Sequence, residues 1–327
     1  MASPNSTFTE LVSTTFRKHR KEIKDNVSNR NAFLKYMMKK GNQRTEDGGL
    51  TIACPLDYAE NSTYQRYSDW DILDISASEV ISAAEYQWRQ VAINVVASGR
   101  ELRINSGESK IINLAKSRIK NALRTYNNNF SSDLYSDGTA SNQINGLQAI
   151  IADSGQGTVG GINSTTAANA FWRNTVQSAA APLQGGGAVT VSETTIENEI
   201  MLPLWLELDR GPSDAPDLIV MSNDYYQFYE NSQVSIKRYM DADKAQGGFV
   251  SLKYKNADVM HDGNSGIPTA HGYMINTDYF GLCVHKDADL EIMEDQRPIN
   301  QDGVVTPILW MGNLECSNRA QQGVFKA

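Results

Sequence analysis

His261-Asp262 and His271, together with Cys283-Val284-His285, are the side chains in this sequence that a metal site or a hydrolase would use. Their spacing fits neither chemistry. Zinc ligands come as close Cys/His pairs, whereas His261 and His271 flank a turn containing glycine and proline. They read as surface or strand histidines. Gly155-Gln156-Gly157-Thr158-Val159-Gly160 has the GxGxxG form of a dinucleotide turn. That site also needs a helix starting inside the motif and an acid about 20 residues on. Here Gly161-Ile162-Asn163 follows, and no acid occurs between Asp153 and Glu193, so the run reads as a loop. Ser117-Arg118-Ile119-Lys120 has the SxxK form without its companion motifs and reads as helix surface. Asn61-Ser62-Thr63 and Asn163-Ser164-Thr165 are glycosylation sequons by letter only. No catalytic, cofactor-binding or metal-ligating set is expected, and the chain does not read as an enzyme.

The elements that would position such residues point elsewhere. Residues 109–135 carry apolar side chains at Ile112, Ala115, Ile119, Ala122 or Leu123, Tyr126, Phe130 and Leu134, steps of three and four that draw one stripe on a helix. Asp137-Gly138 supplies its stop, and the helix would be on the order of 40 Å long. It is a strut with no catalytic signature.

The 327 residues suffice for two or three domains. Their net charge of −8 conceals an asymmetry, because through Arg44 ten basic residues face three acids, giving +7 and leaving −15 for the remainder. A basic end on an acidic body suggests an arm that meets a polyanion or an acidic protein surface; a solvated helix face is the plain alternative. No apolar run approaches the roughly 18 residues of a membrane span, and the polar N-terminus does not read as a signal peptide. Cys54, Cys283 and Cys316, far apart and without a CxxC, argue against a disulfide framework and for a reducing site of synthesis.

In chain order, Thr7 to Glu10 fits a capping box, with Phe8, Val12, Phe16, Ile23 and Val27 at helical spacing. A second short helix is expected over 31–40, ended by Gly41. Residues 50–54 alternate as a strand, 58–74 are polar and aromatic, and 80–96 read as strand again. Together they form a large hairpin-like excursion. Beyond the strut come a short strand or helical turn over 143–153, a Gly-rich loop, and a helix around Ile200, Leu204 and Leu208 that Pro203 should bend. A buried strand over 218–221, a helix capped by Ser222 or Asn223, and a mostly extended segment over 304–325 complete the α+β pattern.

Two stretches carry a resemblance. Residues 145–153, continuing through Gly157-Thr158-Val159-Gly160-Gly161-Ile162-Asn163 to Phe171-Trp172-Arg173-Asn174, resemble the segment after the strut in major capsid proteins of tailed double-stranded DNA bacteriophages. So does the C-terminal run Leu309-Trp310-Met311-Gly312-Asn313-Leu314-Glu315-Cys316, ending at Val324. The order of parts is similar as well.

The resemblance implies the Hong Kong 97-type capsid fold: an N-terminal arm over 1–47, an extended loop over 48–99, a peripheral domain with the spine helix over 100–145, an axial domain over 146–297, and a C-terminal strand over 298–327 returning to the peripheral domain. It implies a shell of hexamers and pentamers enclosing phage DNA in the virion, assembled in the host bacterial cytoplasm, with separate scaffolding, portal and cement proteins as candidate partners and no membrane. Since the chain starts close to its arm, any scaffolding function is expected from another protein. Arg17, Lys18, Arg20, Lys21 and Lys24 would face the lumen and offset phosphate charge without reading sequence. Tyr58, Tyr64, Arg66, Tyr67 and Trp70 would make intersubunit contacts from the loop. Some members weld this loop to a neighbour through a lysine–asparagine bond, but no lysine lies between Lys40 and Lys110, so non-covalent fastening is expected here. The same fold builds cellular storage compartments, which leaves a compartment shell, and a nucleic-acid-binding module using the basic arm, as alternatives.

Overall fold

The computed structural model describes residues 32–77, 79–104, 108–211, 214–233, 252–262 and 266–327. In chain order the strands are β1 (Gln43–Glu46), β2 (Thr51–Asp57), β3 (Ile81–Gln87), β4 (Arg89–Ser98), β5 (Thr158–Val159), β6 (Ile162–Asn163), β7 (Thr175–Ser178), β8 (Leu218–Met221), β9 (Leu252–Tyr254), β10 (Ala257–His261), β11 (His271–Ile275), β12 (Phe280–His285), β13 (Glu291–Ile292), β14 (Gly303–Cys316) and β15 (Gly323–Lys326). An arm helix spans Ala32–Lys40, and the strut spans Glu108–Asp133, roughly 39 Å at 1.5 Å per residue. The expected helix over residues 7–27 lies outside the described residues.

β14 organises a five-stranded sheet. β4 pairs antiparallel along ten of its residues on one edge, while β12 and β13 take the other edge and β1 adds in parallel to β12. Val304, Thr306, Ile308 and Trp310 alternate into the core, as a strand with one covered face requires. The strut covers that face with Ile119, Ala122, Tyr126, Phe130 and Leu134, the stripe legible in the sequence. Phe130 sets its ring edge-on to Trp310 at 4.9 Å and stacks on Tyr126 at 5.2 Å. Phe33 of the arm helix sits 6.1 Å from both Tyr135 and Phe280, which seals the far end.

A six-stranded sheet, ordered β7-β15-β11-β8-β10-β9, serves two cores at once. Leu218, Val220, Tyr273, Ile275 and Val324 face the strut-side core, and Ile219, Met221, Met274 and Phe325 face a second one. That is the two-residue alternation of strands buried on both faces. The second core is closed by helices at Leu202–Leu208 and Asn223–Ser232.

Three sequence expectations meet a different geometry. Residues 80–96 divide at Trp88 into β3, which pairs with β2, and β4, which joins the five-stranded sheet. Residues 298–327 form two strands: β14 enters the five-stranded sheet and β15 the six-stranded one. Helical structure around Pro203 begins earlier, as a π-turn over Ile196–Met201 running into the α-helix. Proline lacks the N–H that would satisfy the Glu199 carbonyl, and the side-chain amides of Gln177 and Gln184 donate to it instead, at 2.8 and 2.9 Å.

Candidate assembly surfaces

The histidines, the GxGxxG glycines and the two sequons have structural roles. His261 packs against the Tyr226 ring at a tilt, centroids 4.7 Å apart, and His285 accepts the Asp287 N–H at 3.2 Å. Gly155 and Gly157 lead into a small hairpin, β5–β6, whose turn residues Gly160 and Gly161 both have positive φ, as a type I′ turn demands. Both sequons are Asx turns: Asn61 Oδ1 accepts from Thr63 N and Oγ1, and Asn163 Oδ1 does the same for Thr165. Among the described residues no group of three or more His, Cys, Asp or Glu side chains is placed to hold a metal ion, and no helix is long and apolar enough to cross a membrane.

His271 Nε2 lies 3.0 Å from Asp153 Oδ2, tying β11 to the loop before the hairpin. Burial, the largest single influence, would lower the imidazole pKa, but the hydrogen bonds to Asp153 and the Thr269 carbonyl and the Asp153 charge together outweigh it and the net shift is upward; the Asp153–His271 bond lowers the Asp153 carboxyl. His271 therefore contributes stability that is fully present below its ordinary 6.5 and lost as pH rises through its raised folded value. Asp153 contributes above 3.8, and loses that contribution as pH falls through its lowered value. The pair is strongest between these limits. Thermal melts should show the wild type losing stability from pH 6 to pH 9 with a slope that His271→Gln flattens; equal slopes would show that the pair contributes nothing.

The extended loop has a fixed root and an uncovered tip. In its root, β2 and β3 bury Ile52, Cys54, Leu56, Ala84 and Tyr86 against the body. The end of β14 and the turn after it hold this root at four points. Asn313 Nδ2 donates to Gln87 O at 2.9 Å, while its Oδ1 accepts from Asn145 N at 3.0 Å. Glu315 accepts from the Cys54 thiol at 3.0 Å and pairs with Arg44 at 2.9 Å. Burial pushes the Glu315 carboxyl above the usual range, against the pull of these two partners. Tyr86 Oη donates to Cys316 O at 2.9 Å and accepts from Cys316 N at 3.2 Å.

Arg319 is the fourth point. Fully buried, its guanidinium donates to Ile150 O at 2.5 Å, Ser164 Oγ at 3.1 Å, Trp172 O at 3.2 Å and Asn174 Oδ1 at 2.8 Å, all neutral acceptors. Burial lowers its pKa to about 10, so it remains a cation at neutral pH. These bonds fix the β5–β6 hairpin, which also receives Trp172 Nε1 at Val159 O, 2.9 Å. The hairpin in turn grips the loop, because Glu85 N donates to Gly160 O at 2.9 Å. A Cβ on Gly160 would lie 2.7 Å from Ala84 Cβ, so the strand and the turn touch at a point only glycine fits.

Beyond Tyr58, whose ring meets Phe171 at 5.6 Å, residues 59–77 form no regular element. Tyr64, Arg66, Tyr67 and Trp70 are all exposed, Trp70 to 96%. Ile72 and Ile75, which sequence reading did not single out, are 93% and 94% exposed beside it. Side-chain carboxylates brace this tip: Asp71 accepts from Ser68 N three residues before it, and Asp74 forms an Asx turn with Ser76 N. The tip thus presents a run of aromatic and branched side chains to solvent rather than a lone exposed residue.

The arm end is fastened to both sheets. Tyr36 Oη donates to Asp217 O at 3.2 Å, just before β8, Lys40 pairs with Asp217, and Asn42 Nδ2 donates to Phe280 O at 3.2 Å, at the start of β12. Arg17, Lys18, Arg20, Lys21 and Lys24 lie outside the described residues. Asn313, Glu315 and Arg319 went unnoticed as individual residues, although they fall in the C-terminal run that carries the resemblance. Only their long-range partners reveal their role.

No protein-family model matches the sequence, and no curated protein matches it. Solved structures do. The chain is similar to a subunit of the capsid of cyanophage A-1(L), with a TM-score of 0.61 at 16% identity over 89% of this chain and 92% of that one. It is similar to the capsid protein of Myoviridae phage XM1, with a TM-score of 0.53 at 8% identity over 89% and 91%. An encapsulin from Synechococcus elongatus matches with a TM-score of 0.53 at 8% identity over 87% and 84%. Shared by these neighbours over nearly their whole length, the architecture of strut, two sheets and projecting loop is the Hong Kong 97-type capsid fold.

Proposed function

We propose that this protein is the major capsid protein of a tailed DNA bacteriophage, a non-enzymatic shell subunit that assembles into hexamers and pentamers around the packaged genome. The single observation that carries the reading is the extended loop: a root held by four buried attachments projects a tip whose Trp70, Ile72 and Ile75 are more than 90% exposed, with no packing partner among the described residues. Burying each such side chain on a neighbour is worth about 1.5–3 kcal/mol. Residues 1–47 act as the arm, 48–99 as the loop, 100–145 as the strut region, 146–297 as the axial part and 298–327 as the return. Tyr58, Tyr64, Arg66, Tyr67 and Trp70 contact neighbouring subunits. Scaffolding, portal and cement proteins are the expected partners, and the virion, assembled in the host cytoplasm, is the expected location. Light scattering and electron microscopy of the expressed protein test this: closed particles are expected, and a protein that stays monomeric at high concentration with its scaffold co-expressed counts against it.

Two outcomes follow inside such particles. The basic arm faces the lumen, so a bulky, impermeant amine reagent should leave Lys18, Lys21 and Lys24 unlabelled in intact shells; rapid labelling would place the arm outside. The loop is fastened without covalent bonds, since 48–99 has no lysine and a guanidinium is a poor nucleophile at accessible pH. Particles boiled in denaturant should run as one band near 36.1 kDa. A ladder of multimers containing loop peptides would show the fastening to be covalent.

The encapsulin neighbour favours a second reading, a cellular compartment shell. Nucleic acid in purified native particles separates the two: a genome-length DNA supports the phage reading, and DNA-free particles loaded with protein support the compartment.

A further inference from the structure

We propose that a groove beside Arg89 receives Trp70 from a second copy of this chain, with Asp69 and Asp71 of that copy set against the guanidinium; this rests on the shell reading above. The groove lies where β4, β14 and the turn around Ala288 meet, lined by Trp88, Arg89, Val91, Asn142, Leu309 and Met311. Its floor is apolar, and its one charged group is only partly satisfied: Arg89 Nε is buried without a hydrogen-bond partner. Such a donor costs free energy until an acceptor arrives. A ligand for this groove therefore combines a flat apolar body with an anion beside it.

The chain carries that combination on its own loop tip. Trp70 is 96% exposed and stands between Asp69 and Asp71, in a segment (58–80) where five acids, Glu60, Asp69, Asp71, Asp74 and Glu79, face one base, Arg66. The tip does not fill its own groove. Trp88 and Arg89 follow the inner end of β3, whereas the tip leaves from the outer end, about 20 Å away along seven strand residues. The four attachments at the root hold that separation. Charge, shape and reach together commit the groove to another copy: an indole buries ring area over Val91 and Met311, and a flanking carboxylate meets Arg89 at the rim.

Charge exchange tests the pairing. Arg89→Glu should lower the yield of closed particles at least tenfold while leaving the circular-dichroism melt of the free subunit unchanged. Asp69→Arg with Asp71→Arg should do the same, and combining all three substitutions should restore assembly. A proximity measurement covers any folding defect: Trp70→Cys with Asn142→Cys should form an intersubunit disulfide on mild oxidation of assembled shells, and neither substitution alone should. The proposal is overturned if Arg89→Glu assembles like the wild type, if the triple variant is no better than either parent, or if the double-cysteine shells stay uncrosslinked. In each of those outcomes wild-type shells still form, so the shell reading stands; wild-type protein that never assembles removes that reading itself.

Discussion

Replacing Arg319 by alanine is expected to destabilise the unassembled subunit by about 4 kcal/mol, the largest single-residue effect anticipated in the chain. The substitution leaves Ile150 O, Ser164 Oγ, Trp172 O and Asn174 Oδ1 without their donor in the interior. Each buried orphan costs about 1–3 kcal/mol, reduced where water enters the space the side chain leaves. Lysine should recover less than half, because one ammonium cannot reproduce a planar fork aimed at four acceptors. Urea unfolding followed by circular dichroism measures this directly. An unchanged midpoint would mean that the β5–β6 hairpin is held by other contacts.

Substituting Trp70, Ile72 and Ile75 by serine should have the opposite signature: the subunit stays folded and the shell is lost. All three side chains are more than 90% exposed, so their removal changes subunit stability by a few tenths of a kcal/mol each. On a neighbour they would together bury apolar area worth about 6 kcal/mol per subunit. If half is offset by ordering the loop, the concentration needed for assembly still rises roughly 100-fold. Sedimentation of the variant beside wild type, with melting curves of both, separates the effects. Normal shells from the triple variant would remove the tip from the assembly interface.

These two predictions also mark what was legible in the sequence. The strut's stripe, the arm helix ending at Gly41, the buried strand Leu218–Met221 and the excursion of the loop were readable because each is written in local periodicity. The mount was not. Asn313, Glu315 and Arg319 act through partners between 145 and 271 positions away, and no local pattern distinguishes a buried arginine from a surface one. The GxGxxG run reads as a loop in the sequence, yet its third glycine has a definite task against Ala84 that only the close approach of the two backbones shows. Strand partnership was likewise hidden. Backbone pairing of β1 with β12 and of β15 with β11 joins segments that the sequence divides among different regions. At the loop, the aromatic residues were legible by type, while nothing local marks Ile72 and Ile75 until their exposure is visible.

Electron cryomicroscopy of the purified, untagged chain tests the central claim most directly. The account predicts closed shells of hexamers and pentamers in which residues 58–80 of each subunit are ordered against a neighbour, with Trp70 covered. Discrete subunits with the loop tip free in solvent, at concentrations and with partners that should drive assembly, would contradict it.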